Sequence, residues 1–334
     1  MMNNDVTNTA GSPPVEMSNR DLGVLVGFDA SAHSRAALRF AATEAQRRKT
    51  VLTVVTAYAI PVEIYPNLAS MPKEHEDTAK KKVAQDTLDL ARKYLRDYTG
   101  ETIFGTAQGD AAGVFVDFSS RAQLVVVGAR GRGGFAGRIL GSVAAALPAH
   151  SRCPSVVVTG AVGESSTESA ATTADSDTVG DAEVFVPTHA QGPVVAAIDG
   201  SDRSAEVVRV AADAAERNGA SLTVLMAMPL VEEWLYWYPE LRVDDEASRK
   251  RQADLEEAVK SDLAWVRDAH PTLDFSVSVE IGDPADLIVR QTGKAQLTVV
   301  GTRGRGAVRS AILGSVSRAV LNQAQGPVMV VPGR

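Results

Sequence analysis

Short runs of apolar, β-branched residues alternate with longer stretches of helical spacing along this chain, and the whole alternation occurs twice. In the first copy, Gly23–Phe28 is an apolar run ending at Asp29 and predicts a buried strand. Ser34–Lys49 puts Ala37, Leu38, Ala41 and Ala45 on one face, the spacing of an amphipathic helix. Val51–Ala57 predicts a second strand, a charged stretch from Lys73 to Tyr98 a second helix, and the alternating Glu101–Ala107 a third strand. Asp110 stands where an N-cap belongs, before a helix to Arg121. Leu124–Val127 is the fourth strand, and a helix from Ser142 with a strand at Ser155–Thr159 closes the copy.

The second copy keeps this order. Strands are predicted at Val194–Ile198, Ser221–Ala227, Asp274–Glu280, Leu297–Val300 and Val328–Val331. Helices run to Asn218, from Asp244 to Asp268, from Asp283-Pro284, and from Ser315; Pro284 suits a first helical turn, where its missing N–H costs nothing. The copies are offset by 170 residues at the first acid and 173 at the loop after the fourth strand, as one altered surface loop would produce. Strands alternating with helices, and strands apolar on both faces, predict α/β domains: two in tandem, each a doubly wound parallel sheet covered on both sides. Ligands of such sheets sit at the strands' carboxyl ends, where Asp29, Ala57 and Gly128, and again Asp199, Ala227 and Gly301, converge.

Composition adds the boundaries. Residues 1–20 are Asn-, Thr- and Ser-rich and read as a disordered tail. Residues 161–191 shift to Ser, Thr, Ala and acids and read as a linker, leaving domains at 21–160 and 192–334. The net charge of -7 owes much to that linker, which holds six acids between Ala161 and His189 and no Lys or Arg. An acidic chain argues against a nucleic-acid coat. The single cysteine, Cys153, permits no intrachain disulfide, and no apolar run approaches a membrane span, so a cytoplasmic protein without nucleic-acid or membrane partners is expected.

Chemistry concentrates after the fourth strands. Gly128-Ala-Arg130-Gly131-Arg132 leads to Gly141-Ser142, and Gly301-Thr-Arg303-Gly304-Arg305 leads to Gly314-Ser315, with the same two-residue and nine-residue spacings. Each loop carries three arginines and no acid (Arg130, Arg132 and Arg138; Arg303, Arg305 and Arg309) beside a helix N-terminus. That combination predicts a polyphosphate anion. A glycine turn with a Ser N-cap and solvated arginines explains one copy as well; agreement at every fixed position in two copies favours the ligand. Asp29 and Asp199 each open Asp-x-Ser-x-x-Ser, so the carboxylate is placed to accept from a base or ribose, to help hold a metal, or to cap the next helix.

On these residues the chain resembles the universal stress protein family in its tandem form, over nearly all of the chain outside tail and linker. The family's ATP-binding signature, Gly-x2-Gly-x9-Gly-Ser/Thr, stands twice: Gly128, Gly131, Gly141-Ser142 and Gly301, Gly304, Gly314-Ser315. The resemblance implies a flavodoxin-like, adenine nucleotide alpha hydrolase-like sheet in strand order 3-2-1-4-5. It implies ATP, with Mg2+, in each crevice. It puts Asp29 and Asp199 near adenine and ribose, and Ala57 and Ala227 against adenine through their backbone. The loop glycines with Arg130 and Arg303, and Ser142-Val143 and Ser315-Val316, would hold phosphates and ribose. It also implies an intramolecular pseudo-dimer through the last strands or a homodimer, and an unidentified protein partner. The chain departs from the family at Gln123 and Gln296, where an acid is common, and at Thr56 and Met226, where His is frequent.

No catalytic base is recognisable beside Ser142 or Ser315, which predicts a regulatory ATP binder with at most slow hydrolysis. The five histidines show no metal-ligand spacing. Trp234–Tyr238 reads as a hydrophobic lid, or else as a cap on a base or a partner surface. Two alternatives stand beside the regulatory reading. An adaptor would have loops that bind no nucleotide. A dinucleotide-dependent oxidoreductase rests on Gly131-x-Gly133-x-x-Ala136, which follows the wrong strand and is not repeated.

Overall fold

A computed structural model describes residues 20–59, 73–131, 140–159, 191–228, 245–302 and 313–333. The expected N-terminal tail through residue 19, nearly all of the 161–191 interval, Trp234–Tyr238, Gly304 and five of the six loop arginines (all but Arg130) lie outside the described residues.

The chain divides into two compact units. The first holds strands β1 (Val24–Gly27), β2 (Leu52–Tyr58), β3 (Thr102–Gln108) and β4 (Leu124–Gly128), all parallel in the order β3-β2-β1-β4. Helix α1 (Ala32–Arg48) packs on β1 and β4, α2 (Lys73–Tyr94) packs on β2 and β3, and α3 (Ala111–Phe118) packs on β2. The central strands read as unbroken apolar runs because helices exclude water from both faces: Val24, Leu25, Leu52, Leu124, Val125 and Val126 are fully buried. Gly141–Ala144, the start of α4 (Ser142–His150), completes this unit.

The second unit holds Ala145–Thr159 and the chain from Gln191 onward. Its strands β6 (Val194–Ile198), β7 (Leu222–Met228), β8 (Phe275–Ile281), β9 (Leu297–Gly301) and β10 (Val328–Val331) are parallel, in the order β8-β7-β6-β9-β10. Counted within the copy this is 3-2-1-4-5, the doubly wound order expected. Beyond β10 lies β5 (Ser155–Val158), which belongs to the first copy by sequence but runs antiparallel on β10, Val156 opposite Met329. Helices α5 (Ser204–Asn218), α6 (Asp245–Asp262), α7 (Trp265–Ala269), α8 (Pro284–Thr292) and α9 (Ser315–Gln323) surround the sheet. The single long helix expected from Asp244 to Asp268 is two: around Leu263-Ala264 the hydrogen bonds tighten to i→i−3, and this turn sets both Leu263 and Val266 into the core. Among the described residues no helix is long and apolar enough to cross a membrane.

Candidate functional site

The first crevice is built where β1 and β4 end. After β1 the chain turns through Asp29, Ala30 and Ser31, and Asp29 Oδ1 accepts the Ser31 N–H at 3.0 Å. Ser31 caps α1 by accepting the Ser34 N–H at 3.2 Å, and Ser34 Oγ accepts the Asp29 N–H at 3.3 Å. This short circuit needs a left-handed residue, and Ala30 supplies it at φ 65°. Gly128 must be glycine, since a Cβ there would stand 2.6 Å from the backbone carbon of His33. Gly131 lies against the acid: a Cβ would meet Asp29 Oδ2 at 2.6 Å. The loop returns when the Gly141 N–H donates to Ala129 O at 2.8 Å, and Ser142 and Val143 then open α4. Ser31 Oγ donates to the Arg130 carbonyl at 3.4 Å. Ala57, near the end of β2, reaches the same level as Asp29, because the Phe28 N–H donates to Val55 O and Thr56 Oγ1 donates to Phe28 O.

His33, on the first turn of α1, shares this corner. Burial lowers its pKa from the ordinary 6.5, the Arg130 charge lowers it further, and Asp29 opposes both.

The second crevice repeats the frame with different polar detail. Gly200, at φ 71°, takes the place of Ala30. Asp199 Oδ1 accepts three bonds, from the Ser201 N–H at 3.1 Å, Ser201 Oγ at 2.7 Å and Ser204 Oγ at 3.3 Å. The Gly314 N–H donates to Thr302 O at 2.8 Å, matching the Gly141 bond of the first copy. A cavity of about 430 Å³ lies here, and Asp199, Ala227, Gly301, Gly314, Ser315 and Val316 all line it. Its lining combines apolar residues, among them Ala197, Val207, Leu225 and Ile288, with the hydroxyl residues Ser201, Ser204, Ser315 and Ser317 and with Arg203.

The structure thus brings together, within each copy, the predicted residues it describes; Arg303 and Gly304 lie outside them. Sequence reasoning missed Arg203, Ser317 and Ile288. Ser317, whose Oγ donates to Gly301 O at 2.7 Å, was legible as a second hydroxyl one turn into α9. Ile288 was not, because its place in the wall depends on how α8 lies on the sheet. The departures at the fourth strand also find local partners: Gln296 Nε2 donates to Gly192 O at 2.7 Å while its Oε1 accepts from Asn218, and Gln123 Nε2 donates to Thr50 Oγ1. A carboxylate there has no hydrogen to give.

The profile of the Universal stress protein family matches residues 23–159 and again 192–332. This chain belongs to that family. Universal stress protein Rv2623 of Mycobacterium tuberculosis is 31% identical over 324 residues, covering 93% of this chain and 97% of that protein. A universal stress protein of Mycolicibacterium smegmatis is 32% identical over 325 residues, covering 95% and 99%. Among solved structures, a universal stress protein from Archaeoglobus fulgidus superposes with a TM-score of 0.61 at 16% identity, covering 93% of this chain and 98% of that one, a likeness of fold. The chain is therefore a tandem universal stress protein, of a stress-response class.

Proposed function

We propose that this universal stress protein binds ATP, with Mg2+ on the phosphates, once in each copy, and acts as a cytoplasmic regulatory sensor rather than a fast enzyme. The observation that carries the reading is the cavity of about 430 Å³ in the second copy. It falls in the size range of small-ligand pockets, and its lining mixes apolar and polar residues as a nucleotide requires. The apolar residues Ala197, Val207, Leu225 and Ile288 suit a purine. Among the polar lining residues the Asp199 carboxylate can accept from ribose hydroxyls, while Ser315, the α9 N-terminus and Arg203 can donate to phosphates. In the first copy, the open face of Gly131 beside Asp29 is a cradle that any Cβ would fill.

In this reading Asp29 and Asp199 orient base and ribose, Ala57 and Ala227 meet the base through their backbone, and the glycine loops with Arg130 and Arg303 hold the phosphates. The domains are 21–160 and 192–334, and the pairing of β5 with β10 supports an intramolecular pseudo-dimer. A homodimer and a protein partner that reads the bound state complete the proposal.

The test is to denature freshly purified protein and quantify released ATP, for the natural chain and for Gly131→Asp and Gly304→Asp. On the order of one or two ATP per chain is expected, lost site by site in the variants. An empty protein that also gives no heat with Mg-ATP overturns the reading and favours an adaptor.

A further inference from the structure

The two copies differ at one charged position in the crevice, and the difference has chemical content. Four residues after the acid the first copy has His33 and the second has Arg203. Arg203 precedes α5 and lines the cavity; its guanidinium stands 3.3 to 3.4 Å from where a Gly333 Cβ would be, at the end of β10. His33 lies against Gly128, the first glycine of the phosphate loop: a Cβ on Gly128 would come within 2.8 Å of His33 Cβ. Among the described residues, the charged groups that act on the imidazole are Arg130, from the loop after β4, and Asp29, from the turn before α1.

We infer that the two nucleotide sites are unequal in their dependence on pH: His33 makes the first a site that tightens as it gains a proton, whereas Arg203 makes the second a site of constant charge. The inference rests on the nucleotide reading above and adds regulation to it.

Without ligand, burial and Arg130 keep His33 below its ordinary 6.5, so near neutrality the imidazole is uncharged. A polyphosphate in the loop places negative charge beside both Arg130 and His33, offsets the arginine and favours the imidazolium. Binding then takes up a proton. A ligand that raises the pKa of a group binds most tightly below the unliganded value and loses affinity as pH rises through the liganded one. Each unit of that rise is about tenfold in affinity. Guanidinium groups as a class do not titrate in this range, so an arginine in place of the histidine brings no such slope.

The experiment is calorimetry of Mg-ATP binding to the full chain at about pH 6 and about pH 8, in two buffers of different ionisation heat, on Gly304→Asp, which keeps the first site, and on Gly131→Asp, which keeps the second. The phosphates of ATP titrate in the same range, so the second site serves as the baseline. Relative to it, the first site is expected to weaken about fivefold to tenfold more between the two pH values, with a buffer-dependent heat that reports proton uptake. Adding His33→Arg to Gly304→Asp removes the excess slope while keeping tight binding at high pH; adding His33→Gln removes it and leaves binding weak at both. Equal slopes at the two sites, or an unchanged slope in the His33→Arg variant, overturn this inference alone. No binding at either site at any pH overturns the nucleotide reading, and the inference with it.

Discussion

Two residues of the first copy hold backbone conformations that the second copy assigns to glycine. Ala30 (φ 65°) matches Gly200 (φ 71°) before the first helix of each copy, and Lys49 (φ 52°) matches Gly219 (φ 61°), the latter pair closing their helices with equivalent hydrogen bonds. Nothing lies within 4 Å of where a Gly219 Cβ would stand, so glycine there answers to the backbone angle and not to crowding. The left-handed region disfavours a Cβ by about 1 kcal/mol, partly offset by the entropy glycine loses on folding. Lys49→Gly and Ala30→Gly are each expected to stabilise the protein by roughly 0.5–1 kcal/mol in urea unfolding, and Gly219→Ala to destabilise it by a similar amount. Loss of stability in Lys49→Gly would show that its side chain contributes more than its backbone costs. Neither substitution pattern was visible in a single copy. The second copy makes it legible, because the repeat supplies the comparison that one sequence lacks.

At the scale of elements, nearly every strand was readable, since a parallel strand buried on both faces leaves an unbroken apolar run such as Leu124–Gly128. Caps were readable too: Asp110 and Asp283 accept the N–H groups of Gly113, and of Ala285 and Asp286, as the acid before each helix predicts. Packing between elements was not readable. The Phe115 ring of α3 reaches into the space over Gly27 of β1, where a Cβ would meet Cζ at 2.9 Å; at the matching positions the second copy has Ile288 and Ala197, both lining the cavity. The two pairs fill similar volume with opposite division between helix and strand. Gly27→Ala alone is expected to cost about 1–3 kcal/mol from overpacking. Phe115→Ile alone costs on the order of 1 kcal/mol from the void it leaves. The double variant imports the other copy's solution, so a coupling of at least about 1 kcal/mol should appear in a double-mutant cycle. Additive losses would mean that the two side chains do not share the space.

At the scale of the molecule, the sequence period and the compact units do not coincide. The repeat placed Ser155–Thr159 at the close of the first copy, and β5 does stand fifth in the order β3-β2-β1-β4-β5; it is also the antiparallel neighbour of β10 and clusters with the second unit. A run of four buried residues carries no signal for direction, so a valine-rich strand alone does not say whether its partner runs with it or against it. The fragment 191–334 lacks β5 and leaves the Val328–Val331 edge bare, an invitation to pair with another chain. It is expected to self-associate in sedimentation more strongly than the fragment 145–334, in which β5 still covers that edge. Identical behaviour of the two fragments would remove β5 from any role in covering that edge.

The β5–β10 pairing also bears on how such a gene can change. A chain with two similar halves looks divisible at the join, and recombination between 160 and 190 would return two separately inherited halves. One product would carry β5 and the other β10, each without the neighbour it has now. Splitting the chain there would therefore expose two strand edges that the joined chain pairs with each other.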